Sequence, residues 1–257
     1  MGIEELVKQL TLLFIAFGAN FLSAFAGGGA GLVQLPALIL IGLPFSTALA
    51  THKLASVALG LGAGLRHAQE KNLKNYLIIL ILGFGLPGVW LGARIALAIP
   101  SQLGTIILGF FTFGIGIYSI KSPDLGLNSQ LIRISSFKFL IGGGGLFLIG
   151  ILNGSLSSGT GLLVTLWLVR WFGLSYSQAV GYTLILVGLF WNGTGAFVLG
   201  VKGDIQWEWL PMLIVGSFLG GYAGAQVSIS KGNQVVKGAF ETLSLLMGAS
   251  LLMRGML

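Results

Sequence analysis

Charge is scarce in this chain. Only 8% of its residues are Asp, Glu, Lys or Arg, against about 25% in soluble domains, so a water-facing globular surface is excluded. Cysteine is absent altogether, which excludes disulfides and thiolate metal sites and leaves the redox compartment unread. Acids number seven, namely Glu4, Glu5, Glu70, Asp124, Asp204, Glu208 and Glu241. Six sit at ends or in expected loops, and Glu241 falls about one turn into the expected last helix. A cation pathway through a membrane ordinarily needs a deep carboxylate, and the sequence places none at depth. Alternating strand patterning is missing, which argues against an outer-membrane barrel. No Gly-Lys-[Ser/Thr] follows any glycine run, so these runs fail as phosphate-cradling loops, and a nucleotide-driven pump is not expected. A cleavable leader is not expected either, because the first apolar run is long, follows Glu4 and Glu5, and lacks a polar region leading to a cleavage site.

What the chain has instead is apolar length. Its 257 residues are 55% hydrophobic, with a mean hydropathy of +0.94. Leu6–Ala26, Phe45–Leu65, Tyr76–Ala98, Ser175–Leu199, Trp209–Ile229 and Ala239–Met253 approach or exceed the ~20 residues that cross a bilayer core. The net charge of +7 does not point to nucleic acid, because the basic residues cluster in short loops between apolar runs, as orientation in a membrane requires.

The chain also contains 42 glycines, and their order reveals a duplication. Gly29 and Gly31 in AGGGAGL correspond to Gly159 and Gly161 in LSSGTGL. Gly42, Leu43, Ser46 and Ala48 correspond to Gly173, Leu174, Ser177 and Ala179. Gly62, Gly64 and Lys71 fall on Gly193, Gly195 and Lys202, and Gly92, Ala93 and Gln102 on Gly224, Ala225 and Gln234. The expected organisation is a first transmembrane repeat over 1–120, a cytoplasmic linker over 121–137 and a second repeat over 138–257. Each repeat reads as a helix, a glycine break, a short helix and three longer helices, giving an all-α polytopic membrane protein with eight to ten membrane segments. The expected segments are 6–26, 31–43, 45–67, 75–98 and 102–120, then 138–156, 161–172, 175–200, 207–229 and 237–253.

Each half then crosses an odd number of times, so the halves are expected to be inverted. With Arg66, Lys71 and Lys74 placed inside, Lys121, Arg133, Lys138, Arg170, Lys231 and Lys237 also land inside, nine of the 14 basic residues. That distribution satisfies the positive-inside rule. A parallel repeat of four crossings satisfies it almost as well, and the segment count favours inversion. Trp167, Trp171, Trp207 and Trp209 fit interfacial anchoring, and Arg94, about a turn from its helix end, fits snorkelling.

Three groups of residues bear on chemistry. The first is Gly27, Gly28, Gly29 and Gly31 with the counterparts Ser157, Ser158, Gly159 and Thr160. Glycine opens backbone conformations closed to other residues, and unwound backbone at membrane depth is tolerated where it lines a cavity or is buried in protein. The short helices that follow would offer free N–H groups and positive dipole ends to an anion. Gln34 and Asn153 add amide donors. Close helix packing is the competing account of these glycines.

The second group is Thr51, His52 and Lys53. Lys53 lies eight residues into its helix, or ~12 Å deep, near the midplane; the competing readings are snorkelling and a bond to a carbonyl at a helix break. His52 reads equally as a proton acceptor and as packed polar filling. The third group is Tyr182, Thr183 and Asn192 on the half-two helix equivalent to that of Lys53. With basic groups alone at depth, the interior suits a small anion. No metal site, cofactor or nucleic-acid partner is expected. The lipid bilayer is the surrounding partner, and the reading allows a homo-oligomer and coupling to a proton or other ion.

The motifs AGGGAGLVQLP (Ala26–Pro36), Gly42-Leu43-Pro44, Ala50–Lys53, Lys71–Tyr76 and Gly92-Ala93-Arg94, echoed at Gly159–Gly161 and Lys202–Trp207, resemble the TauE/SafE (DUF81) family over nearly the whole chain outside the linker. That resemblance implies a secondary transporter, usually described as an exporter, of sulfite, organosulfonates or related anions in a bacterial-type inner membrane. The chain departs from the family at His52, where many members have a small hydroxyl or amide, at Lys74, where many have aspartate, and in its weakened second run SSGTG. The expected protein is a non-enzymatic anion transporter working by alternating access. A non-transporting assembly or lipid-binding factor is the alternative. An intramembrane hydrolase, less favoured, would have to pair Ser157 or Ser158 with His52.

Overall fold

The computed structural model describes residues 2–67, 73–96, 101–129, 135–202 and 205–256. Glu70, Lys71, Arg133 and Asp204, used in the charge and repeat readings, lie outside the described residues. The described residues form an all-helical bundle: α1 (Ile3–Ala26), α2 (Ala30–Leu40), α3 (Phe45–His67), α4 (Asn75–Ile95), α5 (Ser101–Ile120), α6 (Ser136–Leu156), α7 (Thr160–Phe172), α8 (Tyr176–Tyr182), α9 (Asn192–Lys202) and α10 (Leu210–Met256). Among them, six helical stretches are long and apolar enough to cross a membrane, while α2 and α7 are shorter apolar helices. This is a multi-pass integral membrane protein.

Helix starts and stops follow local chemistry. α1 ends at Gly27 in the left-handed region, whose N–H closes on the Ser23 carbonyl. Ser175 opens α8 with a full capping box: its hydroxyl accepts the Gln178 N–H, and the Gln178 side chain accepts the Ser175 N–H. Between α8 and α9 the rod continues as a π-helical stretch, Thr183–Trp191, where an uninterrupted α-helix was expected. α10 is broken at Gly232 (φ 77°, ψ 174°), which divides it into two legs.

The second leg begins earlier than expected, and this corrects two placements. Lys237, expected at the first position of the last helix, instead lies within the second leg, where it is buried and pairs with Glu241 at 2.8 Å. Glu241 in turn lies more than two turns along the leg rather than one. Trp209, expected as an interfacial anchor, is buried against the core, whereas Trp207 is exposed. Arg94 is exposed, with its guanidinium 4.4 Å from the centroid of the Trp90 ring.

Lipid gives helices no hydrophobic reason to associate, so close backbone packing does the work. Gly216, Gly220 and Gly224 on the first leg of α10 lie against the carbonyls of Leu13, Phe17 and Phe21 on α1. Gly88 and Gly92 of α4 lie against the Phe147 and Ile151 carbonyls of α6, with Gly154 against Val89. Residue numbers rise together in both pairs, so each pair runs parallel. Each also joins the first helix of one half to the fourth of the other. α3 runs antiparallel to its counterpart: Lys53 lies beside Gly195, Gly60 meets Gly188 and His67 lies beside Gly181.

Candidate functional site

The two glycine breaks meet inside the bundle. Gly27, Gly28 and Gly29 have φ of 91°, 134° and 99°, in the region that favours glycine. The matching turn holds Ser157 at φ 61° and Gly159 at φ 73°. Ser157 is a non-glycine residue in this strained region, a placement that recurs at functional sites. A Cβ on Gly28 would lie 2.4 Å from the Gly161 carbonyl carbon, and one on Gly161 would lie 2.8 Å from the Gly28 Cα. The tips also exchange hydrogen bonds: Thr165 Oγ1 donates to the Gly27 carbonyl at 2.5 Å, and Ser158 Oγ donates to the Gly31 carbonyl at 3.0 Å. Close packing and an irregular cavity wall therefore coexist in the same glycines.

Beside this crossing lies a cavity of about 30 Å³, room for a water or two. Gly28, Gly29, Gly31, His52, Asn153, Ser157, Thr160 and Asn192, all singled out from sequence, line it. The α2 and α7 N-termini open onto it through Ala30, Gly31, Thr160 and Gly161. Asn192, 8% exposed, has an Oδ1 with no hydrogen-bond partner.

Lys53 is fully buried beside the cavity wall. Its Nζ donates to the Asn153 carbonyl at 2.7 Å, to Asn153 Oδ1 at 3.2 Å and to Ser157 Oγ at 3.3 Å. The carbonyl belongs to the last turn of α6, the negative end of that helix. Bonding to a carbonyl at a helix break is thus realised and snorkelling is not. All three partners are neutral oxygens, so no described carboxylate balances the ammonium. Asn153 Nδ2 donates onward to Thr160 Oγ1 at 2.9 Å, and Thr160 Oγ1 donates to the Ser157 carbonyl at 2.8 Å.

His52 Nδ1 is 3.2 Å from Gln34 Oε1. Ser56 Oγ lies 3.4 Å from Nδ1 and 3.5 Å from Nε2. Gln34 stands behind His52, outside the cavity wall, and joins it to Asn20 on α1. The Ser158 and Ser157 hydroxyls are engaged with Gly31 and Lys53 rather than with the imidazole.

Two anticipated residues lie elsewhere. Thr51 Oγ1 accepts the Gln206 N–H at 3.0 Å on the far side of α3. The Tyr182 hydroxyl accepts the Lys74 N–H, and Tyr182 lines a separate pocket with His67 and Leu73. Gly27 and Gly159 flank the cavity as turn residues. Sequence reading missed Ser23, Ser56 and Gly188 as wall residues. Ser23 is four residues before Gly27 and Ser56 four after His52, and that helical spacing was the available signal.

The sequence matches the family model described as Sulfite exporter TauE/SafE over residues 12–251. It is 30% identical to a "Probable membrane transporter protein" of Haemophilus influenzae, covering 95% of each chain. It is 28% identical to the "Probable membrane transporter protein YfcA" of Escherichia coli, covering 94% of this chain and 88% of that one. It is 23% identical to the "Probable membrane transporter protein YdhB" of Bacillus subtilis over 95% of this chain and all of that one. No solved structure matches. With a family match that spans both glycine breaks, Lys53 and every helix around the cavity, the chain belongs to the Sulfite exporter TauE/SafE family and is a membrane transporter of that type.

Proposed function

We propose that this protein is a secondary transporter that exports a small anion, sulfite, an organosulfonate or a related organic anion, by alternating access through the cavity where the two glycine tips cross. The observation that carries this reading is Lys53, fully buried and bonded only to neutral oxygens. An ammonium at membrane depth is costly without a counter-charge, and a bound anion supplies one. The α2 and α7 N-termini add positive dipole ends at the same cavity. Gly28, Gly29 and Gly31 shape the wall, with Gly27 and Gly159 in the turns beside it, Asn153, Ser157 and Thr160 as its hydrogen-bonding groups, Ser158 tying the tips together through the Gly31 carbonyl and Gln34 supporting His52.

The cavity holds about 30 Å³, too little for a multi-atom anion, so binding requires the tips to part. An inverted arrangement of the two repeats in the bilayer fits the antiparallel course of α3 and its counterpart. It also fits the pairing of α1 with α10 and of α6 with α4. In such an arrangement one half rocks against the other to expose the cavity to each side in turn.

The test is uptake of labelled sulfite and methanesulfonate into proteoliposomes by wild type and Lys53→Gln. Wild-type flux, reduced at least tenfold by the substitution in a variant that still elutes as folded protein, supports the reading. Unchanged flux in Lys53→Gln sinks the site, and absence of any anion flux returns the protein to the assembly or lipid-binding alternative.

A further inference from the structure

We infer that a hydrogen-bond chain from Ala16 through Asn20 and Gln34 holds His52 in one tautomer, so that each transported anion must be accompanied by one proton. This rests on the anion-transport reading and adds its coupling ion.

The chain of donors favours one assignment, in which Asn20 Oδ1 and Gln34 Nε2 are left without partners. The Ala16 carbonyl only accepts, and Asn20 Nδ2 lies 2.7 Å from it, which orients the Asn20 amide with nitrogen towards Ala16. That nitrogen is also 3.1 Å from Gln34 Oε1 and 2.9 Å from Ser217 Oγ. The Gln34 atom facing Asn20 must therefore be oxygen, since two NH₂ groups cannot bond each other. The same Oε1 is 3.2 Å from His52 Nδ1, so Nδ1 carries a hydrogen and donates it. In the neutral ring Nε2 then holds a lone pair. Asn20 and Gln34 are fully buried and His52 is 1% exposed, so water does not scramble the assignment.

Nε2 faces the site. It lies 3.0 Å from where a Gly31 Cβ would stand, at the N-terminus of α2, and His52 lines the cavity while Gln34 does not. Among the described residues its hydrogen-bonding neighbour is the Ser56 hydroxyl at 3.5 Å, a long and weak contact. A lone pair pointed at an oxyanion repels it. Binding is relieved in two ways: the anion brings an acidic hydrogen that Nε2 accepts, or Nε2 takes a proton from solvent and donates it to the anion as imidazolium. Either way one proton enters with the anion and leaves with it, and no bond other than N–H or O–H changes.

The groups around the ring leave this task to His52. Lys53, next along α3, is turned to the α6 tip. α1 and α10 contribute Asn20 and Ser217, α2 contributes Gln34, the α6–α7 turn contributes Asn153, Ser157 and Thr160, and the π-helical stretch contributes Thr183. None of these is acidic, and no described carboxylate bonds to the ring.

The experiment uses full-length protein in proteoliposomes with methanesulfonate, which has no titratable proton near neutrality, and an internal pH dye. Wild type should move one proton with each sulfonate in the same direction. Its flux should rise towards the acidic side by up to about tenfold per pH unit, the limit for one proton. Any sulfonate flux that His52→Gln retains should carry no proton and have a flat pH profile. Gln34→Met, which removes the Nδ1 partner while keeping bulk, should shift the profile along the pH axis relative to wild type. Sulfonate flux without protons in wild type, or an unchanged profile in both variants, overturns the inference and leaves the transport reading standing. If His52→Gln does not fold, wild-type stoichiometry and Gln34→Met decide. No sulfonate flux in wild type, with sulfite also silent, overturns the transport reading and this inference together.

Discussion

Gly28 and Gly161 touch backbone to backbone: a Cβ on Gly28 would sit 2.4 Å from the Gly161 carbonyl carbon. Alanine at Gly28 or Gly161 should therefore destabilise the protein by about 1–3 kcal/mol through overpacking, with added backbone strain at Gly28, whose φ is 134°. Gly18→Ala is the control, since nothing lies within 4 Å of a Cβ there. Thermal unfolding in detergent checks this: melting temperatures of the two tip variants should fall while that of Gly18→Ala holds.

Ser157→Ala removes one of the three oxygens around the Lys53 ammonium and one cavity-wall hydroxyl. If Ser157 contributes to the proposed anion site, apparent affinity for sulfite should weaken by about ten- to a hundredfold, since a hydrogen bond to a charged group is worth about 1.5–3 kcal/mol. Gln206→Ala, whose backbone meets Thr51 on the far side of α3, should leave affinity unchanged. A concentration series of initial flux distinguishes the two.

Lys237 and Glu241 form a partly buried pair at 2.8 Å that also engages Ser119, whose carbonyl accepts from Lys237 and whose hydroxyl donates to Glu241. Removing one partner leaves the other charge unpaired, at a cost of up to about 3–5 kcal/mol. Glu241→Leu and Lys237→Met should each lower the melting temperature more than the double variant does. A double variant less stable than either single one would contradict this.

The absence of cysteine makes the proposed inversion directly measurable. In intact cells, an impermeant maleimide should label Lys8→Cys and Trp207→Cys, whereas Lys74→Cys and Lys138→Cys should react after permeabilisation. Lys8 and Lys138 open equivalent helices of the two halves, so labelling of both from one side would establish parallel repeats instead.

Much of this was legible along the chain. Apolar run lengths located the helices to within a few residues, and the glycine order located both breaks and the short helices after them. The misses have geometric causes. Thr51 was grouped with Lys53, but two residues on an α-helix turn ~200°, and the hydroxyl meets Gln206 instead. Tyr182 adjoins Thr183, which lines the cavity, but one residue along a helix turns ~100°, and the Tyr182 hydroxyl meets the Lys74 N–H instead. The π-helical stretch went unseen because its residues, Thr183–Trp191, differ in no local propensity from an ordinary apolar helix.

By itself the sequence determined the membrane class, the broken helices, the want of an acid beside Lys53 and the family resemblance. These follow from hydrophobicity, backbone freedom and motif order, which act along the chain. The tertiary structure decided which tips touch, that a helix-end carbonyl holds Lys53, and that Gln34 stands behind His52 with Asn20 behind Gln34. Those facts depend on groups as far apart as Lys53 and Asn153, a hundred positions distant. Only packing between helices brings such groups within hydrogen-bond reach, and no local pattern encodes it.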